Sequence, residues 1–434
     1  MKNVRQGLGV TALALMVGIG CTQKVKDEGP KKVVITAKAQ MEAEELAEAG
    51  EQLISPTTFH LAEKVFQMVL TKDPRNQKAR LYTSALKQFI VFKGVLARVR
   101  PYALKYGDEA QYQKMITDLR ESPIKTWLLD GKEDIETIEQ MQDLAIKYRE
   151  AANEFRLFLK ANPNLDLTIY LNEFVFKQVI ENARARDCRV LEDSVDQVSV
   201  ECDTRNSARR KMNAADVVLL RQMVGGQVLY ATLLTSYSTA NLEKVVKTIK
   251  DIDRQQESKA LANAEKQAVL EKVEGLGKLR KDHSLGLLTE LGADFKGAME
   301  WVLKYQNELC PKGHNSPENR KGYIFEEGAC VGTPEEKDGV QKVIGYIQQS
   351  LENGVAEVEI KDPNTQENSK TKLAIFKWAH APVADLRQIL PVGYDECGAT
   401  AFRDDTFGGI FVNRDANRYL VSKCEPIPAP METP

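Results

Sequence analysis

From about Gln40 the apolar residues return at helical spacing. Leu46, Ala49, Gly50 and Leu53 share one face before Ser55-Pro56 interrupts; Ala62, Phe66, Val69 and Leu70 share the next before Asp73-Pro74 ends it. Recurrence at i, i+3 and i+4 is the mark of helices with one buried face. Ala214 to Ala240 is mostly apolar, and its stretch Val217 to Tyr237 predicts a helix buried inside the protein, with Gly225-Gly226 permitting close helix packing. Leu242 to about Leu279 is charged and amphipathic, with Val246, Ile249, Ile252, Leu261, Ala264, Ala268, Val273 and Leu276 as its stripe. Leu285 to Leu309 reads as a further helix. Two regions leave the helical period. Cys188 to Cys202 reads as a short hairpin between helices. After Asn353, Ala356, Val358 and Ile360 alternate with Glu357 and Glu359, Asp362-Pro363-Asn364 turns, and Leu373 to Trp378 is expected to return as a second strand. The fold class is therefore mainly α, with a small mixed α/β C-terminal cap.

The first helix pair has a finer pattern. Counting back from Pro74, Gly50 is the small residue of the first helix, while Ala62 and Phe66 are the small and aromatic residues of the second. Small residues let antiparallel helices approach, the aromatic fills the gap, and proline stops the chain. The pattern resembles one tetratricopeptide-type unit, although Leu46 and Leu53 stand where that family carries aromatics. A half-copy follows at Ala151, Phe155 and Pro163. Pro74 and Pro163 are out of step with a 34-residue repeat, so the segment from Arg100 to Gly131 is read as an insertion. The resemblance implies antiparallel helix pairs in an irregular array.

Ahead of the helices, Lys2 and Arg5 precede an apolar run from Gly7 to Gly20 that ends at Cys21. This order is that of a secretory signal. With cysteine at the junction, it resembles a bacterial lipoprotein signal, although Gly18 stands where that family usually carries a leucine-like residue. The resemblance implies lipidation of Cys21 and an extracytoplasmic, membrane-anchored protein. Thr22 stands where an aspartate often retains such proteins in the inner membrane, which points to the outer membrane, facing the periplasm. The domain order expected is 1–21 signal, 22–39 flexible tether, 40–185 tetratricopeptide-like helices, 186–210 disulfide hairpin, 211–310 helices, 311–425 mixed cap and 426–434 Pro-rich tail.

Composition narrows the function classes. Without Lys2 and Arg5 the chain has 58 basic against 62 acidic residues, which is no nucleic-acid footprint. Beyond Cys21 six cysteines remain: Cys188, Cys202, Cys310, Cys330, Cys397 and Cys424. Six cysteines allow fifteen connectivities. Spacing favours the sequential pairs 188–202, 310–330 and 397–424, as suits an oxidising compartment. Closing a loop of about 15 residues stabilises by roughly 3 kcal/mol in the chain-entropy model.

Chemistry is sparse. The chain carries no Gly-x-Ser-x-Gly, His-Glu-x-x-His or phosphate-cradling glycine motif. Cys310, His314 and Cys330 have zinc-ligand character, but the disulfide reading takes precedence. Asp404, Asp405, Asn413, Asp415 and Asn417 alternate like the start of a calcium loop, yet Arg418 occupies the position that needs glycine. His380 with Asp385 is the remaining place for acid–base work. No metal, cofactor or catalytic residue is assigned, and the protein is read as not an enzyme. The expected function is a lipid-anchored scaffold holding an envelope protein or peptide on the helical face around Phe66 and Phe155. The alternatives are a small-molecule or lipid carrier lined by Val217 to Tyr237, and, behind it, an envelope hydrolase.

Overall fold

A computed structural model describes residues 31–36, 43–54, 58–106, 109–119, 123–172, 188–194, 197–202, 207–255, 258–309, 324, 333–362, 365–396 and 398–421. The readings of Cys21, Cys310, His314, Cys330, Cys397 and Cys424 lie outside them. The chain is mainly helical with small antiparallel sheets, and it divides into two compact units.

The first unit comprises Met1–Asp134, Glu150–Val224 and Tyr305–Val331. It begins with strand β1 (Lys31–Thr36) and helices α1 (Ala43–Gln52), α2 (Phe59–Lys72) and α3 (Gln77–Ile90). Phe59, Ala62, Val65, Phe66 and Val69 form the buried stripe of α2. Gly50 on α1 has a specific reason to be glycine, because a Cβ there would lie 2.8 Å from the Phe66 ring. Phe66 in turn stacks on Tyr82 of α3 at 4.8 Å. The buried carboxylate of Glu51 accepts from Tyr82 Oη at 2.8 Å and from Lys78 Nζ at 3.1 Å. The Asp73-Pro74 break turns the chain, and Asn76 caps α3 by accepting from Ala79 N.

Short helices α4 (Val95–Arg98), α5 (Arg100–Tyr106), α6 (Glu109–Asp118) and α7 (Pro123–Leu129) follow. The segment read as an insertion is thus itself helical. Gly94, at φ 67°, lies against the backbone of Gly131, where a Cβ would come within 2.4 Å. Trp127 on α7 meets Phe59 edge-on at 5.8 Å. Helix α8 (Ile138–Ala161) buries Ala152, Phe155 and Leu159 in its second half, and Asn162 and Pro163 end it. Strands β2 (Leu167–Asn172), β3 (Cys188–Ser194), β4 (Gln197–Cys202) and β5 (Ser207–Met212) come next. β2 pairs with β5, and β4 lies between β1 and β3. The 22–39 segment, expected to be a tether without structure, therefore carries a strand. The sequence pattern missed it because its pairing partner lies far downstream.

The second unit comprises Ile135–Arg149, Gly225–Lys304 and Gly332–Pro434. Helix α9 (Ala214–Ser236) is one unbroken helix through Gly225-Gly226. It begins with reciprocal capping: Asn213 Oδ1 accepts from Ala215 N, and Asp216 Oδ2 accepts from Asn213 N. Helices α10 (Leu242–Gln255) and α11 (Lys259–Lys272) replace the single amphipathic helix expected to about Leu279. Leu261, expected in one stripe with Ile252, is instead 62% exposed while Ile252 is buried; nine residues place the two on opposite sides of a helix, so they share no face. Ser258 caps the restart.

Helix α12 (Leu287–Leu309) packs Gly292 against Phe376, and α13 (Pro334–Asn353) opens with a Thr333–Glu336 capping box and closes at Gly354 with φ 74°. The cap then forms hairpins β6 (Ala356–Lys361)–β7 (Asn368–Leu373) and β8 (Pro391–Asp395)–β9 (Gly398–Phe402), with short helices α14 (Lys377–His380) and α15 (Ala416–Leu420). The return strand of the first hairpin comes earlier than the Leu373 to Trp378 expected. Its inward residues include Ser369 and Thr371, whose hydroxyls bond to Tyr419 and Asp415, so no apolar alternation announces it. Phe411, Ala416 and Tyr419 form the cap core with Ile360, Leu373, Phe407 and Ile410 packed around them.

Candidate interaction surface

The C-terminal half of α9 has its polarity inverted. Val228, Ala231, Thr232, Thr235 and Ser236 are buried, at positions that share one helix face. Leu229 (41% exposed), Tyr230 (43%), Leu233 (39%) and Leu234 (49%) share the opposite face and point outward. A helix with one face toward water normally does the reverse. This corrects the expectation of a buried helix, since only 33% of its apolar window is buried. Gly226 lies on the outward side, and a Cβ there would touch nothing within 4 Å, so no close helix neighbour explains it.

The inward face is fixed by polar contacts. Thr235 Oγ1 donates to Ala231 O at 2.7 Å and Ser236 Oγ to Thr232 O at 2.6 Å, the back-bonding that lets hydroxyls sit inside a packed helix. From the first half of α8, Arg149 Nη1 donates to Thr235 Oγ1 at 2.9 Å. Gln142 Nε2 donates to the carbonyls of Leu234 and Tyr237 at 3.1 and 2.6 Å, satisfying the open end of α9. Gln142 Oε1 accepts from Thr239 and Arg280, and Arg280 is held by Asp282. The hydrogen bond from Arg280 holds the Asp282 carboxyl below its ordinary value. Tyr148 donates to Gln227 at 2.8 Å, with its phenol pushed up to about 12 by burial. These bonds set the helix's rotation and leave the leucines outside. No sequence signal marks Gln142 or Arg149, because polar residues on an amphipathic helix look alike until a partner is known.

The other expected sites are structural. Phe66 (0% exposed) and Phe155 (4%) lie in the core of the first unit, so they offer no surface to a partner. Ala62 is likewise fully buried, Ala151 is half-buried, and Pro74 and Pro163 are exposed at helix ends. Asp385 accepts from Arg387 through both its backbone and guanidinium N–H, while His380 is exposed, so the two do not form an acid–base pair. Arg387 also donates to the carbonyls of Glu271 and Val273, pinning the end of α11. Asp404 accepts from Thr406 and from Gly408 N, Asp405 from Asn417 N, and Asn417 pins Phe402 in both directions. Burial alone would push the Asp404 carboxyl up, but these hydrogen bonds outweigh it and hold it below its ordinary value. The cluster that alternates like the start of a calcium loop is thus built into the turn, and no group of metal-ligating residues occurs among the described residues. A shallow groove between α12 and α13, of about 190 Å³, is lined by Lys296, Glu300, Gln348 and Glu352, with Lys296 paired to Glu300 and Gln348 to Glu352.

No family model matches the chain, and no curated protein or solved structure is similar enough to match it.

Proposed function

We propose that this protein is a lipid-anchored, extracytoplasmic helical scaffold, with tetratricopeptide-like pairing in its first helices, that holds an envelope protein through the outward face of α9. The observation that carries the reading is the inverted polarity of that helix: hydroxyls inward, with those of Thr235 and Ser236 hydrogen-bonded, and leucines outward and exposed. Three leucines and a tyrosine, each a little under half exposed, leave on the order of 200 Å² of apolar area, taking about 25 cal/mol per Å² and ordinary side-chain transfer values. That is well short of the ~800 Å² per partner that a stable interface takes, so the patch does not by itself join two copies of the chain. It has the size and composition of the apolar centre of a larger, heterologous contact. The anchor follows from the cysteine at the end of the signal-like run. A carrier would turn these leucines toward an enclosed cavity rather than toward solvent.

The test is in-cell crosslinking of the tagged full chain, comparing wild type with Leu229→Lys/Leu233→Lys, followed by mass spectrometry. A reproducible envelope protein that is lost from the folded variant supports the scaffold. Identical protein adducts in both, or a co-purifying lipid or metabolite with no protein, contradicts it. Membrane fractionation of Cys21→Ala checks the anchor separately: the variant is expected to leave the membrane fraction.

A further inference from the structure

The backbone register of the three-stranded sheet brings two cysteines together. In the antiparallel pair β3–β4, Cys188 stands directly opposite Cys202 at the open end of the hairpin. Directly opposed residues in antiparallel strands have Cα atoms about 4.5 or 5.5 Å apart, depending on the pair type. Both values fall inside the roughly 4.4–6.8 Å that a disulfide spans. This geometric fact is independent of the spacing argument from the sequence. The same row continues across the sheet, where Cys202 faces Lys31 of β1 on its other side.

We propose that Cys188 and Cys202 form a disulfide that locks the β3–β4 register and thereby holds the edge on which β1 docks. β4 is the central strand, so β1 has no place in the sheet unless β4 is fixed. A one-residue slip of β4 against β3 would invert every inward and outward position of the hairpin. A crosslink at the open end forbids that slip. The bond forms by thiol–disulfide exchange with a disulfide-bearing oxidant. One thiolate attacks the oxidant, the second displaces it from the mixed disulfide, and the oxidant leaves as two thiols carrying both electrons and both protons.

The consequence for the anchor rests on the lipidation of Cys21. With β1 docked, Lys31 lies ten positions after Cys21, a reach of at most about 35 Å; with β1 released, Ala43 lies 22 positions after it, about 75 Å. The clip then halves the distance over which the body can stand off the membrane.

The experiment uses the full chain, isolated with its thiols alkylated at lysis and digested without reduction. A 188–202 linked peptide is expected. Hydrogen exchange is then followed with and without reductant, and in Cys188→Ser. Reduction and the substitution should each speed exchange of the amides of residues 31–36 and 197–202 at least tenfold while α2 is unchanged. Free thiols at both positions, or either cysteine bridged elsewhere, overturns the proposal. So does a linked peptide whose reduction leaves β1 exchange unaltered. The mass of the peptide bearing Cys21 reads the anchor independently: an unmodified Cys21 beside an intact 188–202 bond upholds the clip and removes only the tether consequence.

Discussion

Leu233→Lys separates an outward face from a core more cleanly than any other change in α9. Leu233 is 39% exposed and projects from the side opposite Thr232 and Thr235. Lysine and leucine have nearly equal helix propensity, so the backbone is indifferent to the exchange. A long lysine can lie its stem along the same surface and keep its ammonium in water. The folded chain should therefore lose no more than about 0.5 kcal/mol, the ordinary scale of a surface substitution. A buried leucine replaced by a charge would instead cost several kcal/mol, through lost burial and an unpaired cation. The partner contact should respond differently. The exposed part of one leucine is worth roughly 1 kcal/mol of apolar transfer, and a desolvated ammonium adds to the loss, so affinity should fall about ten- to a hundredfold. Urea denaturation followed by circular dichroism gives the stability, and capture of the crosslinked partner gives the affinity change. A midpoint shift worth more than 2 kcal/mol would show that the chain itself covers this face. An unshifted midpoint with unchanged capture would show that the face is uncovered but unused.

Three further outcomes follow from other contacts. Thr232 Oγ is buried without a hydrogen-bond partner, so Thr232→Val should stabilise by about 1 kcal/mol, while Thr235→Val removes the acceptor of Arg149 and should destabilise by about 1 kcal/mol; equal effects in denaturation would argue against the inward assignment of the hydroxyls. Gly50→Ala places a methyl 2.8 Å from a ring that is itself fully buried, and should cost about 1–3 kcal/mol despite better helix propensity; a neutral or raised melting temperature would mean that α1 and α2 do not meet this closely. The Asp385 carboxyl is held below its ordinary value chiefly by the Arg387 hydrogen bond, so the stability that it contributes is present above the unfolded pKa of about 4 and is lost as pH falls through the lower folded value. Hydrogen exchange of β8 and β9 should accordingly be flat from pH 7 to about 4, after correction for intrinsic rates, and rise below it; a rise beginning near pH 6 would point to another group.

The parts legible in the sequence are those whose information is local. The α2 stripe, the break at Pro74 and the contact of Gly50 with Phe66 all lie within one short stretch, where spacing and residue size carry the structure. Apolar composition identified α9 as a helix, but it does not say which side of a helix is covered. That is decided by Gln142 and Arg149 on another helix, some ninety residues away in sequence. β7 was missed because its inward positions are hydroxyl residues, satisfied by Tyr419 and Asp415 instead of by apolar packing. β1 was missed because Lys31, Lys32 and the preceding Gly29-Pro30 read as a solvated spacer until β4 is placed beside it. The acidic positions of the cap turn alternate as calcium ligands do because the same short oxygen-bearing side chains serve a tight turn equally well, and Arg418 in place of glycine already sets the calcium reading aside.

The most direct test of the outward face is in-cell photo-crosslinking from two adjacent positions of α9, with a photoreactive residue at Leu233 in one chain and at Thr232 in the other. The account predicts an intermolecular adduct with one envelope protein from 233 and only intramolecular adducts from 232. Intramolecular adducts alone from both positions, or the same partner from both, would contradict it.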